Sequence, residues 1–123
     1  MIGLAVLAMS TAVVQDASAH HSFAMFDKDH PVQLDATVKS WEFTNPHSWL
    51  VVFVMKDGKP TQVSIEGASV DTLIRQGFGL HTFAPGEKIH LVISPLKSGG
   101  PGGAFVKAIK ADGTILTESP TPN

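Results

Sequence analysis

Cysteine is absent from this 123-residue chain, so no disulfide can staple the fold and no thiolate can serve as a nucleophile. Charge is sparse as well. Asp, Glu, Lys and Arg together make up 16% of the residues, the formal net charge is -2, and neither sign gathers in a run. That pattern leaves no footprint for nucleic acid or for an anionic lipid surface. Long hydrophobic runs are missing too. The stretch from Ile2 to Val14 is apolar or small except for Ser10 and Thr11, and it falls short of the about 20 apolar residues that a membrane-spanning helix needs. There is no Gly-x-Ser-x-Gly elbow, no His-Glu-x-x-His and no phosphate-cradling Gly-x-x-x-x-Gly-Lys, so no enzyme activity is expected.

The apolar stretch is followed by Ala17-Ser18-Ala19, a small-x-small site for a signal peptidase. Residues 1–19 therefore read as a signal peptide, although Met1-Ile2-Gly3 lacks the positive residues that usually open one. The protein is expected to be periplasmic or secreted, with no membrane association after cleavage. Removal of Asp16 and gain of an α-amine bring the mature chain close to neutrality. About a hundred residues remain, enough for one domain with one core. That domain is expected over residues 20–117, with a disordered polar tail over residues 118–123.

Val32 to Lys39 alternates apolar and polar with period two, as a half-buried strand does. The phase changes before Trp41 and Phe43, which predicts a bulge near Ser40. Trp49 to Met55 reads as a central strand, Asp57-Gly58 as a turn, and Gln62 to Glu66 as a third strand in hairpin register. A helix is predicted over residues 70–76, with Ser69 as its cap, Asp71 at the positive end of its dipole and Gly77 at C′. Ile89, Leu91 and Ile93 mark a fourth strand after the Pro85-Gly86 turn. Ser98 to Gly103 reads as a mobile loop, and no helix follows it to make a nucleotide site. Ala104 to Ala111 reads as a fifth strand, ending at Asp112-Gly113. Three strands, a helix and two strands predict an all-β fold with one short helix: a five-stranded OB-like Greek-key barrel, with a small open β-sandwich as the alternative.

Six histidines stand in the chain. Cleavage after Ala19 would make His20 the first residue and place an α-amine and two imidazoles, those of His20 and His21, in one dipeptide. A terminal histidine chelates a metal through its amine and Nδ1, and an imidazole from elsewhere completes a three-nitrogen site of the kind Cu(II) favours. His47 is the candidate for that third ligand, because Asn45-Pro46 turns the chain just before the second strand. His21 can substitute for either, since an amine, a deprotonated amide and the second imidazole also chelate copper. A cut one residue later would leave His21 first with similar chemistry.

The other groups carry less. His30 reads as a loop residue near Asp27 and Asp29, His81 as a loop residue, and His90 as a residue on the outer face of the fourth strand. Met25 and Met55 are assigned to core packing before thioether ligation. Phe23, Met25 and Phe26 are expected to be buried and so to hold the start of the mature chain in place.

His20-His21-Ser22-Phe23-Ala24-Met25-Phe26-Asp27, Trp41-Glu42-Phe43-Thr44-Asn45-Pro46-His47, Leu73-Ile74-Arg75-Gln76-Gly77-Phe78 and Pro85-Gly86-Glu87-Lys88 together resemble a bacterial family of small exported proteins built on a domain of unknown function. The resemblance implies a periplasmic or secreted single-domain protein with no established enzymatic activity. Two functions of different kinds follow from the residues. One is a copper-binding protein with its site at His20, His21 and His47, serving delivery, buffering or resistance, with a metal donor or acceptor protein as partner. The other is a metal-free module that grips a small ligand, a glycan or a partner protein through Trp41, Phe43 and Trp49.

Overall fold

A computed structural model of the chain describes residues 24–118. The expected signal peptide, His20, His21 and Phe23 lie outside the described residues, as do residues 119–123 of the expected tail. Six strands and one short helix follow in the order β1 (Val32–Glu42), β2 (Trp49–Lys56), β3 (Lys59–Glu66), α1 (Val70–Arg75), β4 (Lys88–Pro95), β5 (Gly102–Lys110) and β6 (Ile115–Thr117). β1, β2 and β3 form an antiparallel meander, and β1 also pairs antiparallel with β4, which pairs antiparallel with β5. A short parallel pairing of β3 with β5 closes the ring. The result is a five-stranded OB-like barrel with β6 added at the outer edge of β5. Among the described residues no helix is long and apolar enough to cross a membrane.

Alternation decides which side chains enter the barrel. Val38, Leu50, Val52, Ile65 and Leu91 point inward and are fully buried, and Leu73 of α1 joins them. The aromatic residues interlock around this core: Trp41 meets Phe83 edge-on at 5.2 Å and Phe78 meets Phe105 edge-on at 5.5 Å. Such edge-to-face pairs add to burial by matching the positive ring edge to the negative face. The predicted bulge is present, as a register shift between Val38 and Ser40 of β1. It lets one long strand bend to serve both β2 and β4.

Closure rests on two glycines. β5 begins at Gly102, inside the segment that reads as a mobile loop, and Gly102 and Gly103 pair with Ser64 and Ile65. A Cβ at Gly103 would lie 2.6 Å from the Ser94 carbonyl oxygen and 2.8 Å from Ile93 Cδ1. Only a residue without a side chain allows β4 and β5 to approach this closely here.

Three expectations are corrected by the structure. Ser69 occupies the N-cap position of α1 but makes no capping bond. Its hydroxyl donates to Thr72 Oγ1, and Asn45 Oδ1 accepts from the Val70 N–H at 2.9 Å instead. A residue distant in sequence thus does the cap's work. Met25 and Met55 are not core residues, being 50% and 68% exposed. Met55 lies on the outward parity of β2, and the buried side chain near the chain start is Phe26, held by a bridge to Leu96. Glu118 is not part of a loose tail. Its N–H donates to the Val106 carbonyl, continuing the β6 pairing.

Candidate metal site at the loop end of the barrel

The β1–β2 connection is built by hydrogen bonds that cross between distant segments. Ser48, fully buried, accepts from the Thr44 N–H and donates to the Thr44 carbonyl, both at 3.2 Å. Its backbone N–H donates to Ala68 O, and its carbonyl accepts from the Gly67 N–H at 2.8 Å. Thr44 Oγ1 donates to the His47 carbonyl at 2.9 Å. The Asn45–Pro46 peptide is cis, and Asn45 binds the start of α1 as described above. Asn45, His47 and Ser48 are thereby fastened to the segment from Glu66 to Val70.

This fastening orients the His47 ring. Its Nδ1 lies 3.3 Å from Gly67 O and 3.3 Å from Glu66 Oε1. A backbone carbonyl only accepts and an ionised carboxylate only accepts, so Nδ1 carries the proton. In the neutral ring Nε2 then holds the lone pair. The imidazole is 38% exposed while the Glu66 side chain is 13% exposed. The ring therefore combines an anchored nitrogen with an outward one, which is how a protein usually prepares a histidine ligand.

Glu118 completes the polar lining. Its side-chain oxygen comes close to Gly67, the Ala68 N–H donates to its carboxyl, and its Oε2 is buried without a partner among the described residues. Burial pushes its pKa up to about 7. The Ala68 hydrogen bond opposes that rise, and the Glu66 charge adds to it. Beside the placed imidazole thus stand two carboxyl groups, Glu66 and Glu118, the second with its pKa raised to about 7. Among the described residues, no three His, Cys, Asp or Glu side chains are arranged to hold a metal ion. His47 supplies one imidazole, and the other two nitrogen ligands of the expected site lie outside the described residues.

The remaining histidines are separate from this place. His30 is exposed and bonded to Asp27 Oδ1 and Oδ2, each at 3.1 Å. His81 is exposed in the loop after α1. His90 spans Asp35 and Gln33 on the outer face of β4 and β1. Asp27 has its pKa lowered by its hydrogen bond to His30.

The aromatic residues of the alternative site divide. Trp41 donates its indole N–H to Gly79 O at 2.9 Å and packs on Phe43, Phe78 and Phe83. Phe43 packs against the core cluster, and Trp49 stays 36% exposed at the start of β2. Trp41 and Phe43 are thus half-buried, and Trp49 is exposed.

Residues 7–105 match the family described as Family of unknown function (DUF6152). The chain belongs to this family. No curated protein and no solved structure matches it. The match covers the Asn45-Pro46-His47 segment, Glu66 and the barrel as far as Phe105, and stops before β6 and Glu118.

Sequence reasoning missed Glu66 and Glu118. Nothing local marks Glu66, a strand-end acid opposite Trp49. For Glu118 a signal existed: after the Asp112-Gly113 turn, Ile115 to Thr117 can continue a hairpin with β5, which would carry the next residue along the barrel.

Proposed function

We propose that this protein is an exported copper-binding protein that holds Cu(II) through a mature N-terminal histidine, His20, together with His47, with His21 as the substitute ligand. The observation that carries the reading is the state of His47, whose Nδ1 is committed to Glu66 and Gly67 while Nε2 remains available. A preset tautomer lowers the cost of ordering a ligand and raises the basicity of the coordinating nitrogen. Imidazole and amine nitrogens rank Cu(II) above the other divalent first-row metals.

Chain geometry also supports it. Phe26 bridges Leu96 at the end of β4, the Met25 carbonyl accepts from the Lys97 N–H, and the Asp27 N–H donates to Pro95 O. Ser94 pairs with Ala104, which pairs with Glu66 beside His47. That path is three interstrand steps of about 4.8 Å each, plus a short run along β4. Phe26, six positions after His20, thus fastens the start of the described chain to the same barrel that carries His47. The protein acts in this reading as a carrier or buffer that exchanges copper with a partner protein and does no chemistry itself.

The test is to express the full chain with its leader, purify the exported form, read its N-terminal mass and titrate Cu(II) by calorimetry. Binding with submicromolar affinity, weakened by His20→Ala and by His47→Ala and abolished when an extra residue blocks the amine, is the expected result. A mature chain that starts beyond His21, or one that takes up no copper, ends this reading.

A further inference from the structure

At the far end of β2 from His47 the strands part. Thr37 of β1 pairs with both Phe53 of β2 and Lys88 of β4, but beyond it Val54 to Lys56 pair only with β3, and Val32 to Ala36 pair only with β4. The divergence opens a cleft of about 940 Å³ whose walls include Ala36, Phe53, Val54, Met55, Ile89 and Ile109. That volume is in the range of about 300–1,000 Å³ found for small-molecule sites. It is separated from Glu66 and His47 by most of the length of β2, about 20 Å.

The charges around the cleft are unequal in availability. Asp35 is taken by His90, at 2.8 Å, and the other ring nitrogen of His90 faces Gln33 Oε1 at 2.9 Å. Lys110 is paired with Glu87 at 3.1 Å. Lys88 lines the cleft and makes no ion pair among the described residues. Lys39 stands over the Phe53 ring, 5.7 Å from its centre, and its ammonium donates only to the neutral Gln62. The cleft therefore offers an apolar wall with Lys88 in its lining and Lys39 beside Phe53, two cations without carboxylate partners, while Asp35, the one acid in its lining, is hydrogen-bonded to His90.

We propose that this cleft binds a small single-chain carboxylate amphiphile, with its hydrocarbon chain against Phe53, Val54, Ile89 and Ile109 and its carboxylate between Lys88 and Lys39. Phe53 is 37% exposed and Met55 is more so, leaving apolar area that a hydrocarbon chain would remove from water. The carboxylate end is chosen by charge complementarity, since a neutral or cationic head would leave both ammonium groups unmatched.

The probe is decanoate below its micelle-forming concentration, titrated into the full chain and followed by amide NMR, with decanol and decylammonium as comparison ligands. Shifts confined to residues around Phe53, Met55, Lys88, Ile89 and Ile109, with decanol at least about tenfold weaker and Lys88→Glu weakening decanoate by a similar factor, are the expected result. Both Lys88→Glu and Phe53→Ser alter exposed side chains, so each is expected to keep the wild-type spectrum elsewhere, and Phe53→Ser is expected to weaken decanoate and decanol alike. Equal binding of decanol and decanoate, shifts that fall outside the cleft, or sedimentation showing that a second copy of the chain covers this face would overturn the proposal. Copper has no part in the measurement.

Discussion

The two ends of the barrel are made differently. At the His47 end a polar loop is held by side chains and backbone groups from a segment nineteen to twenty-five residues away, and its functional groups are few and individually oriented. At the cleft end no loop is needed: three strands part beyond one shared residue, Thr37, and an apolar space opens between them. The first construction suits a ligand that demands fixed donor atoms, and the second suits one that demands only area and a charge. Single substitutions should therefore be costly at the closure and the loop end and cheap at the exposed wall of the cleft, as at Met55.

The sharpest test of that contrast is the seam that holds both ends in one barrel. Gly103→Ala drives a methyl group into Ser94 O and Ile93 and is expected to cost about 3 kcal/mol in denaturant unfolding, the upper part of the overpacking range. Gly79→Ala is the control, because nothing lies within 4 Å of its added carbon, and it is expected to be close to neutral. Equal stability of the two variants would mean that the close approach of β4 and β5 at Gly103 does not bear on the fold.

Next in size is the carboxyl of Glu118. Its folded pKa, about 7, stands above the ordinary 4.5, so the folded state holds the proton more tightly. The cost of ionising it is absent below about pH 4.5, grows as pH rises, and is complete above pH 7. With allowance for the part of the side chain that water reaches, Glu118→Gln is expected to stabilise the protein by about 2 kcal/mol at pH 8 relative to wild type, and by almost nothing near pH 4. Thermal melts of both proteins across that range would read the crossing, and a gain that does not change with pH would place the cause elsewhere.

A smaller loss is expected from Ser48→Ala, which removes the hydroxyl's two bonds to Thr44 in a buried place and should cost about 1–2 kcal/mol. It should also release His47, seen as a change of its imidazole nitrogen shifts toward the tautomer mixture of a free ring. At the other end Met55→Gln is expected to change stability by less than about 0.5 kcal/mol, because the side chain is mostly in water. A large effect there would mean that the cleft wall is covered in solution.

Much of the barrel was legible in local pattern. The alternation of Val32 to Lys39, the phase change near Ser40, the Val-rich run after Trp49 and the single helix between the third and fourth strands lead to the observed order of the first five strands and the helix, though not to β6, because period and turn chemistry are local properties. The candidate site was legible only in part. His47 stood out by its motif, but Glu66 lies nineteen positions further on and Glu118 seventy-one, and neither carries a local sign of meeting it. Met55 was misplaced because an apolar run long enough for a strand does not say which parity faces the core near the strand's end.

The amino-acid order by itself thus determined the barrel class, the succession of the first five strands and the helix, and the lack of disulfides. Tertiary structure decided which nitrogen of His47 is free, which residue caps α1, that Gly102 and Gly103 form a strand in place of a loop, and that the strands part to leave a cleft. The division has one physical reason. Periodicity and turn preference act between neighbours in the chain, whereas hydrogen bonds, desolvation and close backbone approach act between atoms that only folding brings together.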